Sequence, residues 1–392
     1  MNYLKSNDRR IEALLLRAIC TCVLLSILVA GLWPFHAPKN EVSWLSEGNG
    51  LRFGKRGSIV SAGSFELNGR RANGSCGLEI WLAPNYVDSD GMILAFYWPA
   101  TKVVPFALRQ WRGGLVLEHK SQVNQKTENY VADVFNGVKP VFVTITSGEA
   151  GAAVYADGTL LRKFQNLNIS NQDLTGQLIV GGAPSTAYNW SGQINRLTIY
   201  DRELTGAEVS QHSANLTESG SADVAKSDDV AKSDDVVASY LFNERKGNIV
   251  HSQVDPTTDL DIPKRFVVLD KQFLERPWDE FRAGWHYWRN VGINVVGFIP
   301  LGFFVGAYLS RTVKSGRTIW LTIAFGFAVS LTIEVLQAFL PTRNSGMTDL
   351  VTNTLGTALG AMWSAWAMKL NWLVRPVAAV LPVEEEKKAL TR

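Results

Sequence analysis

Apolar residues along the chain are gathered into four long runs, one near the start and three near the end. The runs cover Ala13–Trp33, Asn290–Ser310, Thr318–Leu340 and Leu350–Met368. Each has about 20 residues, the length that an α-helix needs to cross a hydrocarbon core of ~30 Å. The pattern therefore predicts four transmembrane helices.

The first apolar run also has some features of a secretory signal peptide. It contains a single charge, Arg17, and it follows the basic residues Lys5, Arg9 and Arg10. No convincing small-x-small cleavage motif comes after it, as removal by signal peptidase would require. We favour an uncleaved first membrane helix, with residues 1–36 holding a cytoplasmic N-terminus and that helix.

The basic residues near the runs predict how the chain is oriented in the membrane. Arg311, Lys314 and Arg317 crowd the connection between the second and third runs, whereas the next connection, Pro341–Asp349, carries only Arg343 as a base. Because cytoplasmic loops are enriched in Lys and Arg, the second-to-third connection is expected in the cytoplasm. Both termini, including a tail over 370–392, are then cytoplasmic, and residues 37–289 lie outside the cytoplasm of a bacterial inner membrane.

The long segment between the first two runs has a different pattern. Short alternating stretches such as LEIWLA, PVFVTITS and INRLTIY are separated by turn dipeptides that include Asn136-Gly137 and Asp157-Gly158. Such spacing is typical of antiparallel strands joined by hairpins. The predicted fold class is multidomain, α and β: a four-span α-helical membrane bundle plus an extracytoplasmic antiparallel β-sandwich, a jelly roll over 37–220.

A short repeat interrupts this region. Asp223–Asp234 holds two copies of DVAKSD, with alternating charge and no aromatic residue, which is typical of disorder. We expect a disordered linker over 221–236 and, after it, a return segment over 237–289. That segment opens with a strand-like run, Val236–Phe242, and ends in the aromatic-rich Pro277–Arg289, which reads as an interfacial helix.

Charge and cysteine content exclude two classes of protein. The 392 residues contain 39 Lys and Arg against 36 Asp and Glu, a net charge of +3, so a strongly basic nucleic-acid-binding protein is not expected. The mean hydropathy of +0.01 averages apolar spans with a polar exported region. Of the three cysteines, Cys20 and Cys22 lie in the first apolar run and Cys76 lies alone, so disulfides do not organise the fold.

Polar residues inside the last three runs are the candidates for a site. Glu334 and Gln337 share one helical face, as do Asp349 and Asn353, and Asn294 lies near the start of the second run. At 1.5 Å per residue, Glu334 is about 9 Å from the outer interface, and Asn294 and Asn353 are about 6 Å from it. Ionisable groups at this depth are costly and usually face a bundle interior or a cavity. These residues are therefore expected to meet in the outer leaflet.

Arg343 completes this polar cluster in the short outer loop. It is expected to reach the cluster as a bidentate counter-charge for Glu334 or Asp349. Three interpretations stay open: the cluster only holds the helices in register, it forms an outward-facing pocket for an envelope or lipid-linked ligand, or it serves an intramembrane enzyme through Glu334 or Asp349 as acid or base. No nucleophile–base pair or metal-ligand spacing accompanies these residues, so we predict no catalytic residues and no resident cofactor.

The apolar runs also carry small residues that permit close helix packing. The glycines of the second and fourth runs are expected to line helix interfaces, because small residues let helix backbones approach in lipid. They are Gly292, Gly297, Gly302 and Gly306 in the second run and Gly356 and Gly360 in the fourth.

A weak Ca²⁺ candidate lies in the predicted sandwich. The loop Asp88-Ser89-Asp90-Gly91 supplies two carboxylates, fewer than the 6–8 oxygen ligands that Ca²⁺ takes. An ordinary solvated hairpin turn is the simpler interpretation of this loop.

Residues 40–212 resemble laminin-G-type, concanavalin A-like jelly rolls. The matching features are the Glu79-Ile80-Trp81 strand, the Val154–Gly158 hairpin and the closing run Gly192–Leu204. The resemblance implies a domain that binds a glycan or an envelope protein on a sheet face or a loop rim. A glycan hydrolase is a weaker variant, since no Glu-x-Asp-x-Glu-like strand stands out.

The polar membrane segments resemble VanZ-like membrane proteins. The matching segments are Asn294–Gly302, Glu334–Gln337 and Asp349–Gly356, together with Arg343, and the first helix ending in Leu32–Phe35 resembles the first helix of that family. The resemblance implies a bacterial cell-envelope protein with an inserted jelly roll and an association with teicoplanin resistance. A transporter is disfavoured, since four spans show no inverted repeat.

Overall fold

The computed structural model describes residues 2–66, 74–120, 126–185, 189–219, 234–281, 283–313 and 315–370. The chain forms two compact units, one of residues 1–36 and 272–392 and the other of residues 37–271. The predicted tail 370–392, apart from its first residue, and the predicted linker 221–236, apart from its last three, lie outside the described residues.

The described residues of the second unit form sixteen short and medium strands. In chain order they are β1 (Val42–Trp44), β2 (Leu51–Phe53), β3 (Ile59–Ser61), β4 (Cys76–Pro84), β5 (Asp90–Trp98), β6 (Val103–Trp111), β7 (Gly114–Lys120), β8 (Lys126–Val131), β9 (Val141–Gly148), β10 (Gly151–Ala156), β11 (Thr159–Phe164), β12 (Gln177–Val180), β13 (Gly192–Tyr200), β14 (Val236–Tyr240), β15 (Ile249–Val250) and β16 (Leu260–Asp261). Helix α2 (Gly206–Ser219) follows β13.

The strands pair antiparallel into two sheets, which form the predicted β-sandwich. One sheet has the order β1-β2-β13-β4-β9-β10-β11 with β14 also paired to β13, and the other has the order β15-β16-β3-β12-β5-β6-β7-β8. Large apolar side chains between the sheets are almost fully buried, among them Trp190, Phe53 and Phe96. The non-consecutive neighbours in both sheets show a jelly-roll-like topology in place of a simple meander.

Two turns and a late strand follow the sequence pattern closely. Asp157 and Gly158, between β10 and β11, both have positive φ, 48° and 77°, as a two-residue hairpin turn needs. The strand-like run after the repeat pairs with the edge of β13 from Leu197↔Tyr240 to Tyr200↔Val236. The return segment therefore contributes strands to the sandwich before it reaches the helical unit.

A buried polar group ties α2 to the first sheet. Glu79 on β4 accepts a hydrogen bond from the Tyr200 hydroxyl at 2.8 Å, and its other oxygen lies 2.9 Å from His212 Nδ1 on α2. The Glu79 side chain is buried, so both contacts offset the cost of removing a carboxylate from water. Burial is also the main reason why the pKa of Tyr200 is raised.

The first unit, here called the helical unit, has five helices within its described residues. They are α1 (Asn2–Leu32), α3 (Pro277–Glu280), α4 (Trp285–Leu309), α5 (Ser315–Gln337) and α6 (Met347–Lys369). Among the described residues, three segments are long and apolar enough to cross a membrane: Ile11–Leu32, Trp285–Leu309 and Gly316–Gln337. Helix α6 has a similar length and carries more polar side chains, so the fourth span stays a prediction.

Arg17, the one charge of the first apolar run, has partners inside this unit. Its Nε donates to the Tyr308 hydroxyl of α4 at 3.0 Å, and its guanidinium lies over the same ring at 5.5 Å. Glu12, which precedes Arg17 on α1, forms an ion pair with Arg311 at 3.3 Å. These contacts hold α1 against the end of α4 without leaving the guanidinium unpaired among apolar residues.

Glycines set the approach of α4 to α6. A Cβ at Gly302 would meet the Thr357 carbonyl oxygen, one at Gly356 would meet that of Val295, and one at Gly360 would meet that of Ile299. These glycines therefore lie at a backbone-to-backbone contact, as small residues in membrane helices favour.

The expectation that every glycine of the second run lines a helix interface is wrong. At Gly292 and Gly297 a Cβ would have no atom within 4 Å. Gly292 lies before Val295 and Ile299, whose carbonyl oxygens meet α6, whereas Gly297 lies between these two residues and lines the cavity.

Replacing Gly360 by Ala is expected to destabilise the helical unit, because the added methyl meets backbone atoms that cannot rotate away. Overpacking of this kind costs about 1–3 kcal/mol. Gly292→Ala is the matched control and should leave stability unchanged or raise it slightly, because Ala favours the helix. Thermal unfolding of the purified protein in detergent would measure the difference, and equal melting temperatures for the two variants would contradict it.

Candidate functional site

One cavity in the helical unit brings together every polar residue that the sequence singled out in the membrane segments. Its volume is about 330 Å³. The predicted residues that line it are Asn294, Glu334, Gln337, Arg343, Asp349 and Asn353. Its apolar wall includes Ile27 of α1, Ile293 and Phe298 of α4 and Ile333 of α5. The cavity therefore lies where α1, α4, α5 and α6 meet.

Glu334 is bound to the loop that precedes α6. Its Oε2 accepts a hydrogen bond from the Gly346 N–H at 2.8 Å, and the Ser345 hydroxyl donates to the same carboxylate. Glu334 is 1% exposed. Because the first N–H groups of a helix have no partner within the helix, a carboxylate at this position caps α6 and complements its dipole.

A second carboxylate, which the sequence reasoning missed, caps the same helix. Glu280 Oε2, on α3, accepts from the Thr348 N–H at 3.2 Å, and the Met347 N–H between them donates to the Glu275 carbonyl at 2.9 Å. Burial raises the pKa of Glu280. Glu280 lies outside the apolar runs, where no local pattern marks it, so only the fold reveals its position.

Asn294 and Asp349 join α4 to α6. Asn294 Nδ2 donates to Asp349 Oδ1 at 2.7 Å, which is the short distance expected for a hydrogen bond to a carboxylate. The sequence pattern predicts that these two residues lie at a similar depth in the bundle, and the structure joins them directly.

At two amide side chains of the cavity, the nitrogen donates a hydrogen bond and the oxygen has no partner among the described residues. Gln337 Nε2 donates to the Gly31 carbonyl of α1 at 2.8 Å, and Asn353 Nδ2 donates to the Ser330 hydroxyl of α5 at 3.0 Å. Within the described part of the chain, Gln337 Oε1 and Asn353 Oδ1 have no hydrogen-bond partner although both are buried. Most buried polar atoms in native proteins are hydrogen-bonded, so each of these oxygens needs an explanation.

Arg343 lies at the cavity with a different partner from the one expected. Its Nε and Nη2 both donate to the Trp33 carbonyl oxygen, at 3.1 and 2.7 Å, and Nη2 also donates to the Ala30 carbonyl at 3.3 Å. The Nε–Nη2 edge of the guanidinium, which was expected to bind Glu334 or Asp349, therefore binds carbonyl oxygens at the end of α1. The carbonyl groups at a helix C-terminus carry partial negative charge and attract a cation, which explains the choice.

The arrangement offers hydrogen-bond acceptors to whatever occupies the cavity. Two carboxylates and two unpaired amide oxygens line it within the described part of the chain, while the amide nitrogens of Asn294, Gln337 and Asn353 donate to protein acceptors. The Glu334 carboxylate is itself held by the loop before α6, so this residue has a structural role as well.

One carboxylate of the Ca²⁺ candidate loop in the sandwich forms an ion pair with an arginine. Asp90 Oδ1 forms an ion pair with Arg109 Nη1 at 2.8 Å, and Asp88 is exposed. Across the residues that the structure describes, no group of three or more His, Cys, Asp or Glu side chains is placed to hold a metal ion.

The sandwich matches the family model of the concanavalin A-like lectin/glucanases superfamily over residues 59–210. The VanZ/LLP1 family model matches residues 239–368, which run from β14 to the end of α6. The VanZ-like resemblance was expected over the first helix and residues 285–369. The family model begins earlier, at residue 239, and does not include the first helix. The chain thus combines a laminin-G-type, concanavalin A-like domain with a VanZ-like region, as the sequence patterns predicted.

Solved structures show weak likeness to the sandwich. A native heptameric SAP-like pentraxin from Limulus polyphemus is 14% identical, with 45% of this chain and 80% of that chain covered and a TM-score of 0.32. The ligand-binding domain of botulinum neurotoxin serotype D in complex with N-acetylneuraminic acid is 13% identical, with 46% of this chain and 45% of that chain covered and a TM-score of 0.36. These values are too low to transfer a ligand. No curated protein matches the chain significantly.

The capping role of Glu334 predicts a difference between two substitutions. Glu334→Leu removes the acceptor of the Gly346 N–H and should destabilise the helical unit, since an unsatisfied buried donor costs about 1–3 kcal/mol. Glu334→Gln keeps a carbonyl oxygen there and should lose less. Melting temperatures of both variants in detergent would test this, and an equal loss for Gln and Leu would argue against the cap.

Proposed function

We propose that this chain is a multi-pass protein of the bacterial inner membrane whose helical unit binds an envelope or lipid-linked ligand and whose exported sandwich binds a glycan or an envelope protein. The observation that carries the proposal is the cavity, where two buried amide oxygens have no hydrogen-bond partner among the described residues. A cluster that served only to hold helices together would be expected to satisfy its own polar groups.

The fourth span is part of this proposal. Helix α6, with 23 residues, is about 35 Å long at 1.5 Å per residue, which is enough to cross the hydrocarbon core. Its polar residues Asp349 and Asn353 line the cavity, so they need not face lipid. Four spans would place both termini in the cytoplasm and the sandwich outside it.

The sandwich offers a rim of exposed aromatic residues for a glycan. Tyr86 is 63% exposed and Trp111 is 38% exposed. The buried Gln110 side chain donates to the carbonyl oxygens of Tyr86 and Val87 at 2.9 Å each, so the loop that carries Tyr86 is fixed beside the Trp111 strand end. The superfamily of the matching model includes lectins, which supports a glycan as the first ligand class to test.

A role in the response to glycopeptide antibiotics of the teicoplanin type belongs to the same proposal. These compounds act at the cell wall, and a membrane protein with an exported glycan-binding domain and an envelope-ligand cavity would act in the same place. This role rests on the VanZ-like region and on no residue contact of its own.

Filling the cavity should abolish the function of the helical unit. Gly297 lines the cavity and has no atom within 4 Å of an added Cβ, so Gly297→Val is expected to occupy ligand space while the protein still folds. Complementation of a deletion strain, read as teicoplanin susceptibility or envelope integrity, should fail for this variant. Glu334→Gln and Asp349→Asn, each tested alone, should reduce complementation as well.

The matched control is Gly292→Val, on the same helix, which also has open space around its Cβ but does not line the cavity. It should complement like the wild type at equal expression. Full complementation by Gly297→Val, Glu334→Gln and Asp349→Asn would contradict the cavity as a binding site.

Glycan binding by the sandwich can be tested separately. Residues 37–271 form a compact unit with its own apolar core, so this fragment is suitable for a glycan array. Binding is expected to fall at least severalfold in Trp111→Ala, because truncating an aromatic residue that dominates a binding surface costs more than about 1 kcal/mol. Val138→Ala, which changes an exposed apolar residue, is the control and should bind normally. If no glycan on the array binds, a protein ligand is favoured.

A further inference from the structure

We propose that the cavity of the helical unit recognises its ligand through a protonated primary amine, as in an ethanolamine headgroup or an unacetylated amino sugar. This inference rests on the proposed function, in which the cavity is a binding site. It adds the chemical class of the group that is bound.

The first argument is the direction of the amide groups. Three amide nitrogens at the cavity are committed to protein acceptors, namely those of Asn294, Gln337 and Asn353. The opposite oxygens of Gln337 and Asn353 are left without a partner in the described part of the chain, and these residues are only 8% and 5% exposed. A ligand that satisfies them must donate hydrogen bonds.

The second argument is charge. Glu334 and Asp349 bring two carboxylates to the same cavity, and each uses hydrogen bonds from neutral protein donors, from Gly346 and from Asn294. Arg343 is the one basic side chain of the lining, and its Nε and Nη2 are bound to backbone carbonyl oxygens of Trp33 and Ala30. The described lining thus has two carboxylates and one guanidinium. This excess of negative groups suits an ammonium group, since opposite charges interact strongly away from bulk water.

The third argument is size and the apolar wall. A volume of about 330 Å³ lies at the lower end of the ~300–1,000 Å³ of small-ligand pockets. It exceeds what a single metal ion needs and accommodates an amine with several carbon atoms. Ile27, Ile293 and Phe298 provide an apolar surface for those carbons, while the three N–H groups of the ammonium would reach the carboxylates and amide oxygens.

The experiment measures binding of chosen probes to the full-length protein in detergent. Glucosamine and ethanolamine are expected to bind and raise the melting temperature. N-Acetylglucosamine, in which the amine is blocked, and inorganic phosphate are expected to have no effect. Binding of phosphate in preference to the amines, or equal binding of glucosamine and N-acetylglucosamine, would overturn the proposal.

A lipid source of the amine is distinguished by nanodiscs. Phosphatidylethanolamine nanodiscs should stabilise the protein relative to phosphatidylglycerol nanodiscs, and should weaken glucosamine binding by competition, if the bound amine is a lipid headgroup. Equal stability and equal glucosamine affinity in both lipids would assign the cavity to a soluble amine or amino sugar. If glucosamine binds neither in detergent nor in phosphatidylglycerol nanodiscs, the inference is wrong.

Two variants that change the cavity charge in opposite directions test whether it binds an amine. Because one should weaken binding and the other should strengthen it, misfolding of one variant does not decide the test. Asp349→Asn should weaken glucosamine binding about tenfold, and Asn353→Asp should strengthen it severalfold, because the second change adds a carboxylate beside the amine. Gly297→Val should abolish binding, whereas Gly292→Val should preserve it. An Asn353→Asp variant that folds and binds more weakly than the wild type would contradict the amine.

The outcomes separate this inference from the proposed function. If no amine binds but Gly297→Val still fails to complement, the cavity binds another ligand and only the amine is wrong. If no amine binds and Gly297→Val complements fully, the cavity is not a binding site and both proposals fail.

Discussion

The helical unit depends on satisfying the backbone N–H groups that open α6. The N–H groups of Gly346, Met347 and Thr348 are taken by the Glu334 carboxylate, the Glu275 carbonyl and the Glu280 carboxylate. In apolar surroundings water does not replace such partners, so the contacts fix α6 against both α5 and the segment before α4. With α6 held there, Asp349 and Asn353 come to the cavity, and Asn294 can bind Asp349.

The close approach of α4 and α6 has a second cause, the absence of side chains at three glycines. Gly302, Gly356 and Gly360 meet backbone carbonyl oxygens of the other helix. Farther toward the start of α4, Gly297 has open space beside it, and the same region of the bundle holds the cavity. Because the Val295 carbonyl, two residues before Gly297, meets Gly356, the tight contact and the open space lie on different faces of α4 and not at its two ends.

Glu334 shows why a structural and a binding role need not compete. The carboxylate accepts from Gly346 and Ser345 and so positions the loop, yet it also lines the cavity beside the unpartnered oxygen of Gln337. Removing it would change stability and ligand contacts together. Cavity filling at Gly297 separates them, because that position contributes no polar contact to the bundle.

The sequence predicts the type and position of most secondary-structure elements, since these depend on the spacing of apolar, polar and turn residues within each segment. Alternating strands with Asp157-Gly158 turns, apolar runs of membrane length and polar residues three or four apart predicted the sandwich, the helices and the six residues that share one cavity. Only the tertiary structure decided which glycines touch a neighbour, that Arg343 binds the Trp33 carbonyl, and that Glu280 caps α6. Those outcomes depend on segments far apart in the chain, and no local spacing encodes which donor meets which acceptor across helices.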